Sequence, residues 1–156
     1  MLNTLDIPDS VDTIHRGAFG ESGLKSITLP QKLDRISGEL FYWCTDLSSV
    51  KTGNDIFLID NNAFFHCTSL SEFEFPVNLR RIGVSAFEAS GIEAVLLPQS
   101  VRTVGRHAFA GCDSLREVVL SDNISRITGN CFNSCHAPET IHIPQKLKNI
   151  GTSAFE

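Results

Sequence analysis

A solenoid of stacked coils, each adding one short strand to a parallel sheet, is the fold this sequence predicts. Three observations carry it. Phenylalanine returns at Phe19, Phe41, Phe64, Phe87, Phe109, Phe132 and Phe155, at intervals of 22 or 23 residues. Two apolar columns with period-2 spacing stand at the start of each repeat. A proline follows the second column in most copies, where a strand has to end. Aligned on the ring, the repeats begin at Leu2, Leu24, Leu47, Leu70, Ile92, Leu115 and Pro138, the last one cut short. The expectation is a single repeat domain over residues 1–156, taken from a longer protein because neither end carries a polar cap.

Counting the first residue of a repeat as column 1, column 4 reads Leu5, Ile27, Val50, Phe73, Val95, Val118 and Ile141, and column 6 is apolar in all copies but one. Variable residues around them make the signature of a strand with one buried face. Pro8, Pro30, Pro76, Pro98 and Pro144 follow at column 7 and remove a ladder donor. Columns 10 and 13, such as Leu33 and Ile36, are apolar with a spacing of three, which suits a tight turn or 3₁₀-like segment. Column 17 is small in most repeats, with Leu40 the exception, and leaves room for the neighbouring ring to turn inward. Each buried ring contributes about 1.5–3 kcal/mol. The first and fourth repeats are one residue shorter and end at Gly23 and Gly91, where a positive φ would close the coil. In the third repeat Thr52-Gly53 replaces leucine-proline and Asp60 replaces a glycine, so its strand is expected to be shorter or kinked.

The chain has 156 residues, 42% of them apolar and 20% charged, which is enough for a continuous core. A net charge of −5 disfavours nucleic acid or anionic membrane as a general partner. No apolar run approaches the roughly 18 residues that span a bilayer, so no membrane insertion is expected in this segment. Met1 to Leu5 enter the first repeat without the basic and apolar regions of a signal peptide.

Cys44, Cys67, Cys112 and Cys135 share column 21 with Ser22 and Ser90. Zinc needs four ligands converging on a point, not a line. Neighbouring coils about 4.8 Å apart would allow a disulfide by Cα distance, but parallel Cβ vectors oppose it. A column of small buried thiols fits better, and Cys131 replaces a column 17 alanine. His15, His66, His107, His136 and His142 fall at unrelated columns, with no register pairing a base to a nucleophile. Neither a phosphate loop nor a metal motif is present. No catalytic residue, metal or cofactor is expected.

Binding is expected at the variable columns. Columns 3 and 5 project from the sheet and carry Glu72, Glu74, Leu96, Glu117 and Val119, with Glu93 at column 2. Those six form an acidic, partly apolar candidate ligand surface. Arg35, Arg80, Arg81, Arg102, Arg126 and Lys148 gather instead at columns 11 and 12. A solvated surface with its two signs kept apart by the repeat is the plainer reading of both. Tyr42 and Trp43 at columns 19 and 20, Phe65 and His66 one coil later, and Phe57 and Leu58 at columns 11 and 12 place aromatic or apolar side chains where polar residues are the rule. They are a candidate protein contact, with weak self-association as one use and local repacking around the third repeat as the alternative.

The pattern is a leucine, a valine or isoleucine, leucine-proline, isoleucine-glycine, then alanine-phenylalanine-x-x-cysteine. It is clearest in Leu97-Pro98, Val104-Gly105 and Ala108-Phe109-Ala110-Gly111-Cys112. It resembles the BspA-type (Treponema pallidum-type) leucine-rich repeat. The resemblance implies a right-handed leucine-rich-repeat solenoid with a parallel concave β-sheet of about seven short strands and irregular, 3₁₀ or short helical convex segments. It also implies a non-enzymatic protein-binding domain of a bacterial cell-surface protein in adhesion or host interaction. Its partner would be a protein or glycoprotein of extracellular matrix or host surface, met at the cell surface or in secreted form. The alternative is a cytoplasmic protein–protein interaction scaffold of a host-associated microbe or protist; a bare stalk would leave the variable columns bland.

Overall fold

The structure, a computed structural model, describes residues 3–136 and 138–156. Columns 3 to 5 form the three-residue strands β1 (Thr4–Asp6), β2 (Ser26–Thr28), β4 (Ser49–Lys51), β7 (Ala94–Leu96), β9 (Glu117–Val119) and β11 (Thr140–His142). They pair in parallel in the orders β1-β2-β4 and β7-β9-β11. Equivalent columns face each other: Leu5 lies opposite Ile27, which lies opposite Val50, and Val95 opposite Val118. In β2, β7 and β9 the column 4 residue is buried and the two flanking side chains point outward, the alternation the sequence predicts. The strands stop two residues before the proline. The proline carbonyl then accepts the column 10 amide, as in Val101 N–H to Pro98 O at 3.0 Å.

The flank differs from the expected turn or 3₁₀ segment, and no helix occurs among the described residues. Columns 12 and 13 form two-residue strands instead: β3 (Arg35–Ile36), β5 (Leu58–Ile59), β6 (Arg81–Ile82), β8 (Thr103–Val104), β10 (Arg126–Ile127) and β12 (Asn149–Ile150). Their parallel orders are β3-β5-β6-β8 and β10-β12. Column 13 is Ile or Val in every repeat and is buried from Ile36 to Ile127, and stiff β-branched side chains suit an extended backbone that bonds across coils rather than within one.

The seven phenylalanines form one continuous stack, with ring centroids 4.9–5.7 Å apart and interplanar angles of 3–24°. Phe41, Phe64, Phe87, Phe109 and Phe132 are fully buried, whereas Phe19 is half-buried and Phe155 is 38% exposed at the far end. Offset stacking adds about 0.5–1.5 kcal/mol per pair to the apolar burial.

A turn holds each ring in place. Columns 16 and 20, on either side of Ala-Phe, have positive φ in nearly every coil, and eleven of these residues are not glycine. Asn62 and His66 show the arrangement. Each is the third residue of a hydrogen-bonded turn, closed by Ala63 N–H to Asp60 O and by Cys67 N–H to Phe64 O. A positive φ is what a type II turn requires there. The amides of columns 16, 18 and 20 point along the solenoid and donate to the next coil: Asn62 to Val84 O at 3.0 Å, Phe64 to Ala86 O at 2.7 Å, His66 to Glu88 O at 2.9 Å. A non-glycine residue in this region costs about 1–2 kcal/mol. The inter-coil bonds and the buried ring offset that cost.

The column 21 thiols are buried or half-buried and unpaired. Each donates to the carbonyl of the phenylalanine one coil back: Cys44 to Phe19 O, Cys67 to Phe41 O, Cys112 to Phe87 O and Cys135 to Phe109 O, at 2.9–3.1 Å. Burial pushes Cys112 and Cys131 up to about 12 and Cys135 up to about 11, with Cys67 raised further still.

Two local expectations are corrected. The third repeat keeps a regular strand, β4, and the irregular one is the fourth, where residues 71–76 form no strand. The cause is Phe73 and Phe75 in the inward columns. Their rings meet Phe87 edge-on at 5.2 and 5.6 Å, and rings of that size move the backbone off the ladder. Gly91 does not adopt a positive φ. A Cβ there would lie 2.2 Å from Thr68 O, so glycine is needed for close approach between coils.

Phe64→Ala, in mid-stack, is expected to lower unfolding free energy by about 3–5 kcal/mol in urea titration, with a smaller loss for the exposed Phe155→Ala. The raised thiols, Cys67, Cys112, Cys131 and Cys135, set a pH dependence. The fold favours the protonated form, so their contribution is complete below the ordinary thiol pKa of about 8.5 and is lost as pH rises toward about 12. Cys112→Ser, which copies Ser90 in the same column, should flatten the alkaline decline in urea midpoint between pH 8 and 11.

Candidate ligand surfaces

The acidic surface forms around the irregular fourth repeat. Residues 71–76 and β7 enclose a groove of about 450 Å³, lined by Glu72, Phe73, Glu74, Phe75, Glu93 and Leu96. Glu72 and Glu74 are exposed as expected, but on an unpaired segment rather than on a strand. Leu96 is 53% exposed, and it faces Val119 in register on β9, as Ala94 faces Glu117. Glu117 and Val119 line a second shallow hollow of about 520 Å³ with Thr140 and His142. The six predicted residues therefore occupy adjacent coils of one face, with an apolar centre at Leu96 and carboxylates around it. Phe73 and Phe75 underlie the groove and stay buried.

The aromatic residues divide. Tyr42 stacks on Phe65 at 5.1 Å and 15°, and Trp43 lies over His66 at 3.8 Å. These four side chains, two columns on two successive coils, make one shelf at the turn, and Trp43 is 43% exposed. Trp43 and His66 both hold positive φ, which turns them away from the core that takes Phe41 and Phe64. Phe57 does not join them. It sits on the flank, with the Arg35 guanidinium carbon 5.7 Å from its ring centroid, and lines a hollow with Asp55, Asn78 and Arg80. The column assignment already separates it, since column 11 belongs to a different side of the coil from columns 19 and 20. His66 stands at column 20, the column of Trp43, as the repeat alignment places it.

A third feature has no counterpart in the repeat pattern. A hollow of about 570 Å³ on the flank of the first three repeats is lined by residues including Asp12, Arg16, Asp34, Arg35 and Asp60. Arg16 forms two hydrogen bonds to Glu39, with Nε 2.9 Å from Oε2, and Arg35 Nε lies 2.9 Å from Asp34 Oδ1. Hydrogen bonding from the two guanidinium groups holds the Glu39 and Asp34 carboxyls below the usual carboxylate range. These pairs are exposed and screened by solvent. The histidines with side-chain partners face residues other than nucleophiles: His107 Nε2 lies 2.8 Å from Asn130 Nδ2, and His136 Nδ1 lies 3.0 Å from Asp113 Oδ1.

Among solved structures, a leucine-rich repeat protein from Bacteroides ovatus ATCC 8483 superposes with a TM-score of 0.92 at 26% identity, over 99% of this chain and 43% of its own. The T. pallidum leucine rich repeat protein superposes with a TM-score of 0.81 at 26% identity, over 96% of this chain and 69% of its own. The chain thus spans less than half the length of the Bacteroides protein. No curated protein matches it. The model of the BspA type leucine rich repeat region, of six copies, matches residues 1–113 and 82–156. With that match running the length of the chain, and each repeated column accounted for by the coil, this protein belongs to the BspA-type leucine-rich repeat family.

Proposed function

We propose that this chain is a non-enzymatic, protein-binding module of a bacterial cell-surface protein, acting in adhesion or host interaction. The observation that carries the reading is the groove at the break in the first sheet. Carboxylates of Glu72, Glu74 and Glu93 stand around the exposed Leu96 side chain. An apolar anchor ringed by one sign of charge suits a protein or glycoprotein ligand that presents an aliphatic or aromatic residue flanked by lysine or arginine. Leucine-rich repeat domains bind proteins in general, which supports the class of partner. The Tyr42, Trp43 and Phe65 shelf is a second contact on another side of the coil, and it supports a binding module over a bare stalk.

A second reading, an intracellular scaffold, draws on the cysteines. All five are unpaired, the usual state of thiols in a reducing compartment. The flanking gene sequence separates the two readings, since a signal peptide and wall or membrane anchor belong only to the first.

Binding to immobilised extracellular-matrix glycoproteins, followed by biolayer interferometry, tests the site. Glu72→Lys with Glu93→Lys is expected to weaken affinity about tenfold or more, while Trp43→Ala leaves it unchanged. Ala89 occupies the Trp43 column with the same positive φ, so Trp43→Ala keeps the turn intact. The opposite result moves the site to the aromatic shelf. Binding that ignores both changes overturns the assignment.

A further inference from the structure

The flank carries a second charged surface, of opposite sign. Arg80, Arg81, Arg102, Arg106, Arg126 and Lys148 are all exposed at columns 11, 12 and 15 of the last four repeats. They make up six of the thirteen lysines and arginines in a chain whose net charge is −5, so the concentration is against the overall balance. None of the six has a carboxylate within 4 Å among the described residues. On the same flank of the first two repeats the opposite holds, and Arg16 and Arg35 are paired with Glu39 and Asp34.

Register turns these residues into a line. The Arg102 amide donates to Arg80 O and the Lys148 amide to Ser125 O, so column 11 runs straight from coil to coil. Arg81 faces Thr103, and Arg126 faces Asn149, along column 12. The Arg106 Nε lies against Gly129 of the following coil, so this side chain also runs along the axis. Successive coils are about 4.8 Å apart, and four coils therefore present a row about 14 Å long. Along column 12 each arginine therefore alternates with a neutral residue, and Arg80 and Arg102 are like charges on neighbouring coils of column 11 with no carboxylate within 4 Å among the described residues.

We propose that this row binds a linear sulfated polysaccharide lying along the solenoid axis. Five of the six groups are arginine, whose planar, weakly hydrated fork matches a sulfate with two parallel hydrogen bonds. Thr103, Ser125 and Asn149 between them offer neutral partners for sugar hydroxyls. A single-stranded nucleic acid would need aromatic platforms beside the charges. The ring on this flank, Phe57, is already under Arg35 and stands one coil before Arg80, a single platform at one end of the row rather than one beside each charge. A duplex or a membrane would need a broad basic face, and this row offers at most two basic side chains on any one coil. The proposal adds a surface to the protein-binding reading and stands or falls without it, because its probe is a polysaccharide and its variants lie on another face.

The test is affinity for heparin at fixed ionic strength. Arg81→Glu with Arg126→Glu is expected to weaken heparin binding about tenfold or more, and Arg81→Gln with Arg126→Gln to weaken it in the same direction. Lys25→Glu with Lys51→Glu, the same change in net charge on the first sheet, should leave it unaltered. Desulfated heparin and a single-stranded oligonucleotide of matched charge should each bind about tenfold more weakly than heparin. Equal loss in the lysine variant, no loss in both arginine variants, or oligonucleotide or desulfated heparin bound as tightly as heparin would overturn the proposal.

Discussion

A coil of 22 or 23 residues cannot enclose a core of its own; it has one buried side, and only the next coil can cover it. Everything in this structure follows from keeping equivalent columns in register. Three sets of inter-coil hydrogen bonds do so: the first sheet, the flank, and the turn that carries the ring. The phenylalanine stack, at about 5 Å per ring, matches the spacing that those bonds impose. Slipping one coil by a single residue would set a small column 17 side chain where a ring is needed and turn an outward strand residue inward. The column 21 cysteines reinforce the same register, since each thiol reaches the carbonyl of the ring one coil earlier.

Once the inward columns are committed to the stack, differences between repeats have two outlets. One is a change of ring size in an inward column. Phe73 and Phe75 use this route, and the adjustment they force opens the groove beneath Glu72 and Glu93. The other is the set of outward columns, which can vary without touching the core. Carboxylates stand at Glu72, Glu74, Glu93 and Glu117 on the first-sheet side, guanidinium groups at columns 11, 12 and 15 of repeats four to six, and aromatics at columns 19 and 20 of two coils. The solenoid holds those three groups on separate sides of one rigid body, so the molecule can present an acidic groove, a basic row and an aromatic shelf at once.

Much of this was legible in the sequence because a repeat is its own control. Seven copies showed that Ile27, Val95 and Val118 do the same work, and they pair as that equivalence requires. The strands end two residues before Pro30 and Pro98 as expected, and at the same column in β4 and β9, where Gly53 and Ser121 replace the proline. The left-handed residues escaped notice. Gly17, Gly111, Asn62 and Asn130 mark columns 16 and 20 as they should, but Glu39, Trp43 and His66 occupy the same columns and hide the preference. The flank strands escaped as well, because two residues are too few to show a period. Glu72 and Glu74, expected on a strand, are exposed on a segment that lies off the sheet.

The sequence alone determined the coil length, the identity of the inward columns and the family, because each is repeated and read by counting. Tertiary structure decided which outward residues meet. Whether Phe57 joins Trp43, whether Arg81 finds a carboxylate, and whether a groove opens at repeat four depend on distances between coils and on the direction each turn faces. Those are set by packing among residues far apart in the chain, and a column has no record of them.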